Sequence, residues 1–174
     1  TNTIGISAVS TDQLFTNNSS ASAILRVINP PSVAVSFSPT TIVSNVYSAT
    51  LSPVKSFLRF TITNNDANVA LSGLNLTNNL PLGLFVASSP TITNTCGGSV
   101  SASSGDTSVI LTNGTLAVGQ SCYVEVYVAS NTPGTYYETI PIAAINNNEG
   151  LTNSSASNTA TLNVLQYPTI CLLY

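Results

Sequence analysis

The sequence predicts an all-β fold, an antiparallel sandwich with a strand-forming arm at its N-terminal end. Three observations predict it. Apolar residues recur with period two, no long window carries helical periodicity, and clusters of Asn, Gly and Pro punctuate the chain at short intervals. Two sheets that bury their apolar faces against each other satisfy all three.

The period is clearest in two segments. Between Val54 and Ile62, one face carries Val54, Leu58, Phe60 and Ile62, and the other carries Lys55, Phe57, Arg59 and Thr61. Between Cys122 and Ala129, Cys122, Val124, Val126 and Val128 share one face, while Tyr123, Glu125 and Tyr127 share the other. Further strands are expected at Ser22–Ile28, Val33–Phe37, Ala70–Leu76, Gly83–Ala87, Ser99–Ala102, Thr107–Leu111, Thr135–Ile142 and Thr159–Leu165. Turns are expected at Asn29-Pro30-Pro31, Asn64-Asn65-Asp66, Gly97-Gly98, Asn113-Gly114, residues 131–134 and residues 146–150. Gly and Asn tolerate positive φ, and Pro removes a ladder donor.

Composition narrows the function. Charged residues are 5% of the 174, against roughly 25% in an ordinary domain, while Ser, Thr and Asn supply 68 residues. Three basic residues, Arg26, Lys55 and Arg59, are too few to neutralise a phosphate backbone, so nucleic acid is not an expected partner. With no His and only three Cys, His-dependent catalysis is excluded and no cofactor or metal site is expected. No apolar run approaches the ~20 residues of a membrane-spanning helix. No basic segment precedes an apolar one, so any secretion signal is expected to have been removed. A surface that hydrates without ionising suits an extracellular or polymeric protein, and an enzyme is not expected.

The two ends repeat each other. Residues 6–31 read ISAVSTDQLFTNNSSASAILRVINPP and residues 142–168 read IAAINNNEGLTNSSASNTATLNVLQYP. They share Thr-Asn, then Ser-Ser-Ala-Ser, then Leu-x-Val, then Pro, at offsets of 135 to 137 residues. The expected organisation is an arm at 1–31, a sandwich at 32–166 and a tail at 167–174. The arm then looks like a second copy of the domain's last two strands. Either it remains from a preceding domain in a tandem array, or it donates strands to a neighbouring subunit and builds a filament. In both cases Ile4, Ile6, Ile24, Leu25 and Val27 need a partner, because an orphan hairpin is marginal in water.

The stretch from Val33 to Leu165 also carries a set of short elements. They are residues 36–42 (SFSPTTI), 60–64 (FTITN), 71–74 (LSGL), 80–84 (LPLGL), 94–98 (NTCGG), 119–122 (GQSC), 134–136 (GTY) and 150–153 (GLTN). On these the chain resembles a conserved immunoglobulin-like repeat domain of secreted bacterial surface and adhesin proteins, a domain of unknown function. The resemblance implies an immunoglobulin-like sandwich used in tandem, and no catalytic site. Some relatives carry Lys where Val35 stands here, which weakens any carry-over of Lys–Asn isopeptide crosslinking.

Candidate chemistry is sparse. Cys96 and Cys122 are either a disulfide or two buried thiols, and the resemblance favours the disulfide, with an oxidising compartment. Cys171 is left over in the tail. An isopeptide at Lys55 needs a desolvated amine beside an Asn and a carboxylate such as Glu125 or Glu138, and a solvated face is the simpler reading. Residues 64–68 offer one carboxylate, Asp66, and read as an Asx turn before a Ca²⁺ site. Asn-x-Ser/Thr sequons at Asn17, Asn18, Asn75, Asn113 and Asn153 are candidate glycosylation acceptors. Tyr123 and Tyr127 form a candidate ligand face.

The expected function is that of a structural subunit of an extracellular filament or cell-surface array, self-associating through its arm. The alternative is a tandem-repeat adhesin module that binds a glycan or a protein on a host surface.

Overall fold

In a computed structural model, residues 1–13, 15–25, 27–44 and 54–166 are described. Arg26, Cys171 and the tail 167–174 lie outside the described residues. Two short strands, β1 (Asn2–Ile4) and β2 (Ala21–Ala23), pair with each other and, among the described residues, with no further strand. Next come β3 (Ser32–Ser38), β4 (Thr41–Val43), β5 (Ser56–Thr63), β6 (Leu71–Asn79) and β7 (Leu84–Val86). They are followed by β8 (Ile92–Asn94), β9 (Ser99–Ser101), β10 (Ser108–Leu116) and β11 (Ser121–Ser130). The last are β12 (Gly134–Glu138), β13 (Ile145–Asn146) and β14 (Ala160–Leu165).

Period-two patterning sets the layers. One sheet runs β3-β5-β11, with β7 and β8 sharing the outer edge of β11, and the facing sheet runs β13-β6-β10-β9. In β5 the buried side chains are Ser56, Leu58, Phe60 and Ile62, while Phe57, Arg59 and Thr61 look outward. In β11 they are Cys122, Val124, Val126 and Val128, with Ala129 and Ser130 also buried at its end. These meet Leu71, Leu74 and Leu76 of β6 and Val109 and Leu111 of β10 in one core. Each such side chain contributes roughly 1.5–3 kcal/mol by leaving water.

A third sheet, β12-β14-β4, closes one flank, and its β14–β4 pairing is parallel. It adds Ile42, Leu162 and Val164 to the core, and Ile140 joins them from the chain just after β12. Asn158 fixes this flank to β3. Its Oδ1 accepts the Val35 N–H at 2.9 Å, and its Nδ2 donates to the Val35 carbonyl at 2.8 Å.

Several expectations need correction. Asn113-Gly114 is not a turn between strands but an irregularity inside β10, where the register against β6 shifts between Leu111 and Gly114. The same tolerance of positive φ serves both, and Asn113 has φ 55°. Among the described residues, the strand expected at Ser22–Ile28 forms only at Ala21–Ala23, because β2 pairs there on one side whereas β14 pairs on both. The strand expected at Thr135–Ile142 stops at Glu138. Residues 64–68 form a backbone cage. Asp66 Oδ1 accepts the N–H groups of Asn68 and Val69, Oδ2 accepts that of Asn29, and Asn64 Oδ1 accepts that of Asp66.

The crossing between the two sheets is pinned twice. Cys96 and Cys122 form a disulfide, 26 residues apart with Cα atoms at 4.9 Å, joining the β8–β9 connection to the start of β11. Beside it, Gly98 has φ 64°, and a Cβ there would collide with the Thr112 carbonyl and Asn113. Replacing both cysteines by Ser is expected to lower the unfolding free energy by roughly 3–4 kcal/mol in chemical denaturation, the loop-closure contribution for that separation. Gly98→Ala is expected to cost about 2–4 kcal/mol, from positive φ plus the clash. Gly105→Ala, at φ 87° but in open space, is expected to cost about 1–2 kcal/mol, so thermal melts of the pair separate sterics from backbone strain.

Candidate functional site, an uncovered strand pair

The arm is built around one side chain. Asn17 Oδ1 accepts the Val9 N–H at 2.9 Å, and its Nδ2 donates to the carbonyls of Gly5 at 2.7 Å and Ser19 at 2.8 Å. Ser7 N–H donates to the Asn17 carbonyl at 2.9 Å. This folds the described residues between Gly5 and Ser20 into a compact loop that carries β1 and β2 side by side. The arm leaves its apolar side chains bare. Ile4 is 48% exposed, Ile6 65%, Ile24 79%, Leu25 85% and Val27 83%. A shallow hollow lined by Thr1, Asn2, Ala23, Ile24 and Leu25 lies on the pair. Phe15 and Val9 are also exposed, a pair that sequence reasoning missed because neither sits in an alternating run. Their signal lay in the repeat, where Phe15 aligns with Leu151 and Val9 with Ile145.

The arm joins the sandwich through polar contacts. Asn29 N–H donates to Asp66 Oδ2 at 2.9 Å, and Asn65 Nδ2 donates to the Pro30 carbonyl at 2.8 Å.

The tyrosine face is committed to its own sheet. The Tyr127 ring stacks on Phe57 with centroids 3.7 Å apart, and the Arg59 guanidinium lies over Tyr123 at 4.2 Å. Arg59 also pairs with Glu125 at 2.7 Å, an exposed ion pair worth under about 1 kcal/mol. Lys55 Nζ donates to the Ser88 carbonyl at 2.6 Å and lies 5.8 Å from the Tyr127 ring centre. Glu125 is thus engaged by Arg59, and Lys55 by a main-chain carbonyl. Neither is arranged for isopeptide chemistry.

The sequons divide by burial. Asn153, expected as an exposed acceptor, is 1% exposed. Its Oδ1 accepts the Ile145 N–H, and its Nδ2 donates to the carbonyls of Pro141 and Ser155, so it is a structural hub rather than an acceptor. Asn17 is spent in the same way, and Asn75 is half-buried with its Nδ2 on the Gly73 carbonyl. Asn18 and Asn113 are exposed.

Glu138 is buried beside Asn78 where the third sheet meets the core. Burial pushes its carboxyl up to about 7 from 4.5, against the opposing pull of Asn78 and of the Thr139 N–H. Among the described residues, Glu138 Oε2 and Asn78 Nδ2 meet no hydrogen-bond partner. A carboxyl raised in the folded state binds its proton more tightly there than when unfolded. Its stabilising contribution is therefore complete below pH ~4.5 and is lost as pH rises through about 7. Unfolding free energy is expected to fall by on the order of 3 kcal/mol across that window. Glu138→Gln is expected to flatten that slope in denaturation curves taken from pH 4.5 to 8.

A family model described as a domain of unknown function, DUF7933, matches residues 31–164. The chain belongs to this family. No curated protein matches it. Among solved structures, the DUF7933 chain is similar to the bacterial hydrophobin BslA at 14% identity and a TM-score of 0.44, covering 81% of this chain and 99% of that one. It is also similar to a form of BcpA, the major pilin subunit of Bacillus cereus, at 8% identity and a TM-score of 0.46, covering 77% of this chain and 40% of that one. Neither likeness is close enough to bear on what the DUF7933 chain does.

Proposed function

We propose that this chain is a structural, non-enzymatic module of an extracellular filament or cell-surface array, self-associating through the strands of its N-terminal arm. The observation that carries this reading is the bare apolar arm. Ile4 on β1, and Leu25 and Val27 just after β2, are between 48% and 85% exposed, and the strand pair bonds to no further strand among the described residues. Apolar surface left in water costs roughly 25 cal/mol per Å², and a lone two-stranded ribbon is marginal, so a covering partner stabilises it. The expected partners are copies of this chain or neighbouring sandwiches like it.

Two further features support the setting. The Cys96–Cys122 disulfide suits an oxidising compartment. A surface rich in Ser, Thr and Asn and poor in charge packs against copies of itself without repulsion. A glycan-binding role finds less support, because Tyr123 and Tyr127 spend their rings on Arg59 and Phe57.

Sedimentation of the full chain and of a chain starting at Asn29 tests the reading. The full chain is expected to associate with rising concentration. The shortened chain, which keeps the Asn29–Asp66 contact, is expected to remain monomeric with Tm changed by only about 2 °C. Association undiminished by the truncation would remove the arm as the contact.

A further inference from the structure

We infer that the arm is the closing strand pair of a second sandwich of this same fold, one that lacks its own final strands, and that it seats there with Asn17 in the place of Asn153. This rests on the reading of the arm as a strand-borne contact, and it names what covers the arm and in which register.

The arm reproduces five hydrogen bonds from the end of the sandwich. Val9 N–H to Asn17 Oδ1, 2.9 Å, matches Ile145 N–H to Asn153 Oδ1, 3.0 Å. Asn17 Nδ2 to Gly5 and Ser19 carbonyls matches Asn153 Nδ2 to Pro141 and Ser155 carbonyls, all between 2.7 and 2.8 Å. Ser7 N–H to the Asn17 carbonyl matches Ala143 N–H to the Asn153 carbonyl. Phe15 N–H to Thr11 Oγ1 matches Leu151 N–H to Asn147 Oδ1. Even the positive φ recurs, 63° at Ser7 and 60° at Ala143. Every one of these pairs is 136 residues apart. The strand register continues the match with one residue fewer in the arm, since Asn2 pairs Ala23 as Glu138 pairs Ala160.

This register sorts the arm's side chains. Ile4, Leu25 and Val27 fall on Ile140, Leu162 and Val164, which are 0%, 0% and 3% exposed in the complete sandwich. Val9 falls on Ile145, which is fully buried. Ile6 falls on Ile142, which is 61% exposed even in the complete sandwich, so Ile6 stays outward. Four bare positions of the arm, Ile4, Val9, Leu25 and Val27, are ones that a sandwich body buries when its last strands arrive. In a complete copy that seat is filled by its own Ile140, Leu162 and Val164, so copies of the unextended chain meet through their bare arms and not in this seat. The occupant's partner is therefore a body equivalent to residues 32–137 without residues 138–164 of its own.

An extended chain tests this: residues 32–137 placed directly before Asn2, followed by the chain to Tyr174. The leading body is expected to fold with the arm as its last strands. The Leu25 and Val27 amides should become protected from hydrogen exchange, and arm-driven association should vanish. Leu25→Asp is then expected to lower the leading sandwich's melting midpoint by on the order of 10 °C or more. Ile6→Asp leaves that midpoint in place, and Leu25→Asp in the unextended chain leaves its melt unmoved. A leading body that stays protease-sensitive, arm amides that exchange as they do in the unextended chain, or equal effects of Leu25→Asp and Ile6→Asp would overturn the inference. Each of those results leaves the truncation experiment on the unextended chain standing, so the two readings fail separately.

Discussion

The constraint beneath this structure is that a strand has two faces and a sandwich can bury only one of them. Once β5 and β11 commit Leu58, Phe60, Ile62, Val124, Val126 and Val128 inward, every other strand must supply side chains of the right parity to close around them. The last strands do so at one flank, where Leu162 and Val164 arrive on β14 and Ile140 on the chain before it. The arm has the same parity and the same loop but no body beneath it. Its exposure is the same rule seen from the other side: the side chains are cut for a core that its own sandwich has already filled.

With so few charges, the chain uses asparagine where other domains use ion pairs. Asn158 bonds both main-chain groups of Val35 and so stands in for a missing strand neighbour. Asn153 collects one N–H and two carbonyls in a buried loop, and Asn64 does comparable work with Asp66, Val69 and Ala117. A neutral amide carries both donor and acceptor and can be buried at far lower cost than a carboxylate. Glu138 illustrates the contrast. Buried beside Asn78 without a closed hydrogen bond, it keeps its charge only at the expense of stability.

Parity was legible in the sequence because it is local. The faces of β5 and β11 could be read off their alternation. The short strands β4, β8 and β13 could not, since two or three residues hold too few alternations to show a period. Asn113-Gly114 was misread because positive φ marks a bulge as readily as a turn. Asn153 was misread because an Asn-x-Ser triplet says nothing about depth, and its loop carries the amide inward. The repeat between the ends was visible in the letters, but the letters alone left its offset between 135 and 137. Only the hydrogen bonds around Asn17 and Asn153 fix it at 136 for the loop.

The joint between arm and sandwich bears on how such modules would transmit force. β2 ends at Ala23 and β3 begins at Ser32, and Asn29-Pro30-Pro31 leads into β3 with two prolines restricting φ at the last two positions. The joint is also bonded laterally, with Asn29 to Asp66 and Asn65 to the Pro30 carbonyl. Asp66 is itself held through its main-chain N–H, which donates to Asn64 Oδ1, and Asn64 is wholly buried. In the proposed array, a pull on the arm therefore reaches the core of the following sandwich through a short, braced segment rather than a slack linker. A covered arm and a braced joint would together make consecutive sandwiches behave as a semi-rigid rod, whereas either one alone would leave a swivel.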